Sequence, residues 1–117
     1  MARVLIVGGG RRGQSLAREL IARGHVVSET APDVPATVAA LDGVTIACLL
    51  DSEHLETLLS KMIDTTVRGV LYEGTEASTV RAACTRSHIP HLILEVAPDD
   101  PARWVASASA GVENLLR

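Results

Sequence analysis

Phenylalanine is missing from this chain of 117 residues, and tryptophan and tyrosine occur once each. A core must therefore be assembled from Val, Leu, Ile and Ala, a composition that suits parallel strands buried on both faces. The same shortage removes the aromatic platforms on which proteins stack nucleic-acid bases. An excess of positive charge is lacking as well. With a formal net charge of −3 there is no basic footprint for a phosphate backbone, and no nucleic-acid partner is expected. Lysine occurs once, as Lys61. No apolar run reaches the roughly 18 residues of a membrane span, and the first residues read as a strand instead of a secretory leader, so a cytoplasmic location without membrane contact is expected. Cys48 and Cys84 form no C-x-x-C pair and have no histidine at ligand spacing. Both read as reduced core residues, and no metal is expected. Neither a G-x-S-x-G elbow nor a G-x-x-x-x-G-K-[ST] loop is present, which leaves serine hydrolysis and ordinary P-loop chemistry without support.

What is present is an alternation. Short apolar runs at Arg3 to Val7, His25 to Glu29, Val44 to Leu49, Gly69 to Glu73 and His91 to Glu95 read as strands, separated by segments of helical period. The first helix, about Gln14 to Arg23, carries Leu16, Ala17, Leu20 and Ile21 on one stripe and stops at Gly24. A short, Pro- and Ala-rich second helix fits between Pro32 and Leu41. Ser52 is a candidate cap for a third, with Leu55, Leu58, Leu59, Met62 and Ile63 on one face, and Thr75 for a fourth. Asp100 followed by Pro101 announces the fifth, which aligns Trp104, Val105, Ala108, Val112, Leu115 and Leu116. The expectation is an α/β fold filling residues 1–117: one Rossmann-like, doubly wound parallel sheet of five strands in the order 3-2-1-4-5, with helices on both faces. Its ligand crevice would lie above the carboxyl ends of strands one and four.

The most informative motif is Gly8, Gly9, Gly10, Arg11, Arg12 and Gly13, a G-x-G-x-x-G pattern directly after an apolar strand and at the opening of a helix. Gly8 permits a tight turn, Gly10 lets backbone approach a pyrophosphate, and Gly13 lets helix and strand pack closely. Unpaired N–H groups at the helix N-terminus complete an anion site. The residues alone also admit a glycine turn that binds something else or nothing.

The opening VLIVGGGRRGQSLARELIARGHVV resembles atypical short-chain dehydrogenase/reductase proteins of the NAD(P)-binding Rossmann superfamily, and also the nucleotide-binding domains that regulate potassium transport. LDGVTIACLLDS and IDTTVRGVLYEG are more similar to uncharacterised bacterial NAD(P)-binding members of the first group. The resemblance implies a dinucleotide cofactor held by Gly8, Gly9, Gly10, Arg11, Arg12, Gly13, Thr30, Leu50, Asp51 and Tyr72.

Two departures bear on cofactor and chemistry. The family's ribose-binding acid, expected near position 31, is replaced by Ala31, preceded by Thr30. This favours NADP over NAD, with Arg11, Arg12 and the hydroxyls of Ser28 and Thr30 around a 2′-phosphate. The alternative is that the arginines are solvated or pair with Glu29, Asp33 or Asp51. The family's Tyr-x-x-x-Lys pair is also absent, because Tyr72 is followed four places later by Glu76. Tyr72 and Asp51 remain the candidate catalytic residues. Tyr72 alternatively reads as a half-buried strand residue with its hydroxyl in water. Asp51 and His54 share a spacing that can bring them together, but two ligands are too few for a metal. His88 and His91 read as loop or edge residues, and His25 has no chemical neighbour in sequence.

The reading is thus a stand-alone dinucleotide-binding domain that senses its cofactor or works as a minimal oxidoreductase. The alternative is a degenerate Rossmann-like domain for oligomerisation or partner binding. A homodimer is expected, because so small a domain lacks a second wall for its crevice and the fifth helix has apolar residues to spare at Trp104 and Leu115-Leu116.

Overall fold

In a computed structural model, which describes residues 2–31, 33–50, 54–63, 65–95 and 99–117, five parallel strands form one sheet. They are β1 (Arg3–Gly8), β2 (Val26–Thr30), β3 (Ile46–Leu50), β4 (Gly69–Glu73) and β5 (His91–Ile93). They alternate with helices α1 (Gly10–Ala22), α2 (Val34–Ala40), α3 (Leu55–Met62), α4 (Ala77–Arg86) and α5 (Pro101–Leu115).

The α/β class and the doubly wound parallel sheet are as the sequence predicts, but the strand order is β2-β1-β3-β4-β5. The expected 3-2-1-4-5 order is therefore corrected: β3 is inserted between β1 and β4 instead of lying outside β2. The reason is chemical. All five residues of β3 are apolar and buried, whereas Ser28 and Glu29 in β2 are exposed. A central β2 would bury the Glu29 carboxylate, and an edge β3 would leave one flank of a wholly apolar strand in water. The crevice moves with the strand. The winding direction reverses at β1, so the topological switch point lies between β1 and β3 and not between β1 and β4.

Alternation along the strands feeds two cores. On one face Leu5, Val7, Ala47, Leu49, Val70 and Tyr72 pack under α2, α3 and α4; on the other Val4, Ile6, Ile46, Cys48, Leu50 and Leu71 meet α1 and α5. Full burial of such aliphatic side chains contributes roughly 1.5–3 kcal/mol each, which is how a chain without Phe assembles two cores. Trp104 is wholly buried on the α1/α5 side, and Leu115 and Leu116 are half-buried against the same core. Of the apolar residues expected to face a second subunit, Trp104 is thus internal and Leu115 and Leu116 pack partly on this chain's own core. A Cβ at Gly111 would lie 2.9 Å from Leu71 Cδ1, so this glycine sets how closely α5 approaches the sheet.

The helix ends follow local chemistry in part. Asp100 accepts from the Arg103 N–H at 3.1 Å with Pro101 next in line, as its sequence announces, and Asp33 caps α2 by accepting from the Ala36 N–H at 2.8 Å. At α4 the capping position falls to Glu76, whose side chain makes no cap, in place of the expected Thr75. The expected cap Ser52 lies outside the described residues. Helix α1 begins at Gly10, four residues earlier than its apolar stripe suggests, so the glycine motif supplies the first helical turn. Both cysteines are free and buried, and burial pushes the Cys48 thiol up to about 12, in keeping with inert core residues. No described helix is long and apolar enough to cross a membrane.

Candidate functional site

The switch point between β1 and β3 is roofed by the glycine loop. Gly8, Gly9 and Gly10 all have positive φ, at 73°, 84° and 53°. Three successive left-handed residues turn the chain from strand to helix within a span that side-chain-bearing residues would resist by roughly 1–2 kcal/mol each. The N–H groups of Arg12 and Gly13 return to the Gly9 carbonyl at 3.1 and 3.3 Å. Those of Gly10 and Arg11 lie before the first helical donor and are out of reach of the helical ladder.

Each glycine has its own reason. A Cβ at Gly13 would sit 2.7 Å from the Gly8 carbonyl oxygen and 3.3 Å from Ile6 Cγ2, so Gly13 is the close-packing position its spacing predicts. A Cβ at Gly9 would sit 2.5 Å from Leu50 Cδ1. Leu50 is therefore the floor beneath the loop, fully buried at the end of β3. A Cβ at Gly10 would meet nothing within 4 Å. The open space there lies beside the helix N-terminus.

Strand register sets a row of chain ends across this site: Gly8 pairs with Leu50, and Leu50 with Glu73. Glu73 shares the α1/α5 side of the sheet with Leu50. There its two carboxylate oxygens are separately engaged: Arg12 Nη1 donates to Oε1, and the Trp104 indole Nε1 donates to Oε2. The Arg12 guanidinium also lies over the Trp104 ring, 5.1 Å from its centroid. Side-chain exposure is only 23% for Arg12 and 12% for Glu73, so the pair is far less screened than an ordinary surface bridge. Glu73 is thus a partner of Arg12 beyond the three considered, Glu29, Asp33 and Asp51, the last of which lies outside the described residues. Glu73 lies 61 residues away in sequence, and only the β1-β3-β4 order brings it near. Arg11, by contrast, is exposed.

The other sequence candidates are dispersed. Thr30 is half-buried at the end of edge strand β2, opposite Val7. Asp51 lies outside the described residues. Tyr72 is neither half-buried nor wet: it is 1% exposed, on the α3/α4 side of the sheet, and its hydroxyl accepts from the Glu76 N–H at 3.0 Å. A Cβ at Gly74 would collide with that hydroxyl, so the glycine makes room for it. Tyr72 thus anchors the turn into α4 from the face opposite Glu73, and Lys61 on α3 is exposed.

His54, with a left-handed φ of 55°, stands at the N-cap position of α3 without a side-chain cap and borders a polar cleft of about 290 Å³ with Glu56, Thr57, Glu76 and Thr79. No group of three potential metal ligands occurs among the described residues. His25, without a sequence neighbour to explain it, has two spatial partners at the opposite end of the sheet. Its Nδ1 accepts from the Ala2 N–H at 3.2 Å, and its Nε2 lies 2.6 Å from Glu113 Oε1. The hydrogen bond to His25, followed by the positive charge nearby, holds the Glu113 carboxyl below its ordinary value.

No protein-family model matches the chain, and no curated protein does either. Among solved structures, the inactive form of the regulatory domain from the repressor of iron transport regulator (RitR) is similar, with a TM-score of 0.63 at 15% identity over 97% of both chains. At that identity the likeness is one of fold: a regulatory α/β domain of the same length and layering.

Proposed function

We propose that the chain is a dinucleotide-binding domain whose glycine loop seats the pyrophosphate at the β1/β3 switch point. The observation that supports it is the Gly8–Gly13 segment. Its three glycines of positive φ lead into a 13-residue helix, with space for an anion at Gly10 and the first helical N–H groups beside it. Gly9 and Gly13 each answer a specific close approach, so the motif is built around its neighbours and is not a loose turn.

NADP keeps its place before NAD, on narrower grounds than the sequence suggested. Arg12 is engaged with Glu73, which leaves Arg11 and the Ser28 and Thr30 hydroxyls for a 2′-phosphate, while Ala31 offers no carboxylate to ribose. Cofactor binding or sensing is the proposed activity. A reductase reading draws nothing from Tyr72, which is buried on the far face of the sheet.

Thermal unfolding with millimolar NADPH or NADH tests this. A ligand at one hundred times its Kd adds about 2.7 kcal/mol to stability. The expected result is a rise in melting temperature with both cofactors, larger with NADPH. No shift with either contradicts the proposal.

A further inference from the structure

Glu73 and Trp104 are absorbed neither by the glycine motif nor by the resemblance, yet with Arg12 they make a polar cluster at the carboxyl end of the sheet. Arg12 belongs to the loop, in the first turn of α1, while Glu73 ends β4, two strands away from β1. At about 4.8 Å per strand β1 and β4 are roughly 10 Å apart, a separation that the Arg12 and Glu73 side chains bridge together. The Arg12–Glu73 pair is therefore a strap across the mouth of the β1/β3 crevice, on the side where α1 and α5 face each other. Trp104 fastens it by donating to the second carboxylate oxygen and lying under the guanidinium.

We infer that Glu73 is a positioning residue that sets the anion affinity of the glycine loop by competing for Arg12. The inference rests on the dinucleotide reading above. The Arg12 guanidinium is held by one oxygen of the Glu73 carboxylate; a phosphate at the loop offers more acceptor oxygens and more charge. Binding then exchanges one charge-assisted partner for another: Arg12 moves from Glu73 to phosphate, and Glu73 keeps the Trp104 N–H. Apparent affinity is reduced by the fraction of chains in which Arg12 is still held, so weakening the internal competitor tightens binding. The indole loses its overlying cation in the same step. Because Trp104 is the chain's one tryptophan, its emission reports the surroundings of the strap with no contribution from a second indole.

The experiment is a titration of the whole chain with NADP+, the oxidised form, which leaves the tryptophan emission window clear. Four proteins are compared: wild type, Glu73→Gln, Arg12→Ala and the double variant. Glu73→Gln keeps the shape of the side chain and removes its charge. The expected result is about five- to tenfold tighter binding for Glu73→Gln, a saturable change of Trp104 emission in the wild type, and no emission change in Arg12→Ala. In the Arg12→Ala background the Glu73→Gln gain should vanish.

A purely structural Glu73 would weaken binding on substitution, or leave it unchanged. A Glu73 that merely repels phosphate would give the full gain without Arg12. Either result overturns the inference while wild-type binding leaves the dinucleotide reading standing. Wild-type binding with no change in Trp104 emission overturns it as well, independently of how the variants fold. If neither the wild type nor Glu73→Gln binds NADP+, both fall.

Discussion

Gly13 and Gly10 serve the loop in different ways, and substitution separates them. At Gly13 the obstacle is a neighbour: an added methyl meets the Gly8 carbonyl and Ile6. Gly13→Ala should cost about 1–3 kcal/mol in chemical denaturation, the usual range for overpacking a tight site. At Gly10 the space is open but φ is +53°, so Gly10→Ala should cost about 1–2 kcal/mol through the backbone alone. It should also place a methyl where the pyrophosphate is proposed to lie, and abolish dinucleotide binding. An unchanged denaturation midpoint for Gly13→Ala would refute the close-packing role. Ser109 shows the opposite case, a side chain the fold is better without. It is fully buried on α5, and its hydroxyl has no hydrogen-bond partner among the described residues. Ser109→Ala should raise stability by about 1 kcal/mol, since an unsatisfied buried hydroxyl costs that order of free energy. A lower melting temperature would show that the hydroxyl is in fact satisfied.

At the scale of elements, the two ends of the sheet are tied by different chemistry. At the amino ends, His25 after α1 joins the start of β1 to α5 through Ala2 and Glu113. The Glu113 carboxyl is held below its ordinary value near 4.5, chiefly by the hydrogen bond to His25. A depressed folded value means that this contribution is present above the unfolded value and disappears as the pH falls through the folded one. Stability measured by denaturant titration should therefore drop below about pH 4.5 more steeply in the wild type than in Glu113→Gln. Parallel acid profiles would exclude the pair as a contributor.

The elements also show what a single sequence does and does not reveal. Their number and kind were legible because apolar runs of five residues and helical stripes such as Leu16, Ala17 and Leu20 are local signals. So was the α5 cap, an Asp100-Pro101 pair. The strand order departs from the expected one, although the contrast between the apolar β3 and the polar β2 carries it: Ser28 and Glu29 belong at an edge. The Arg12–Glu73–Trp104 cluster could not be read from spacing at all, because it joins three elements whose adjacency depends on that order.

At the scale of the molecule, the chain is a three-layer fold with its winding reversal, glycine loop and Arg12–Trp104 contact at one end of the sheet. The large apolar side chains left most open to solvent among the described residues are Ile21, Val26, Val38 and Ile63. They sit on separate elements and not on the α5 surface from which a second subunit was expected. The central claim is that this end of the sheet receives a dinucleotide at Gly8–Gly13. Its most direct test is backbone amide NMR of the labelled chain during titration with NADPH. The account predicts the largest shifts at Gly9, Gly10 and Arg11, with the Trp104 indole N–H moving in step. Shifts confined to His54, Thr57 and Thr79 at the α3/α4 cleft, or none at millimolar ligand, would contradict it.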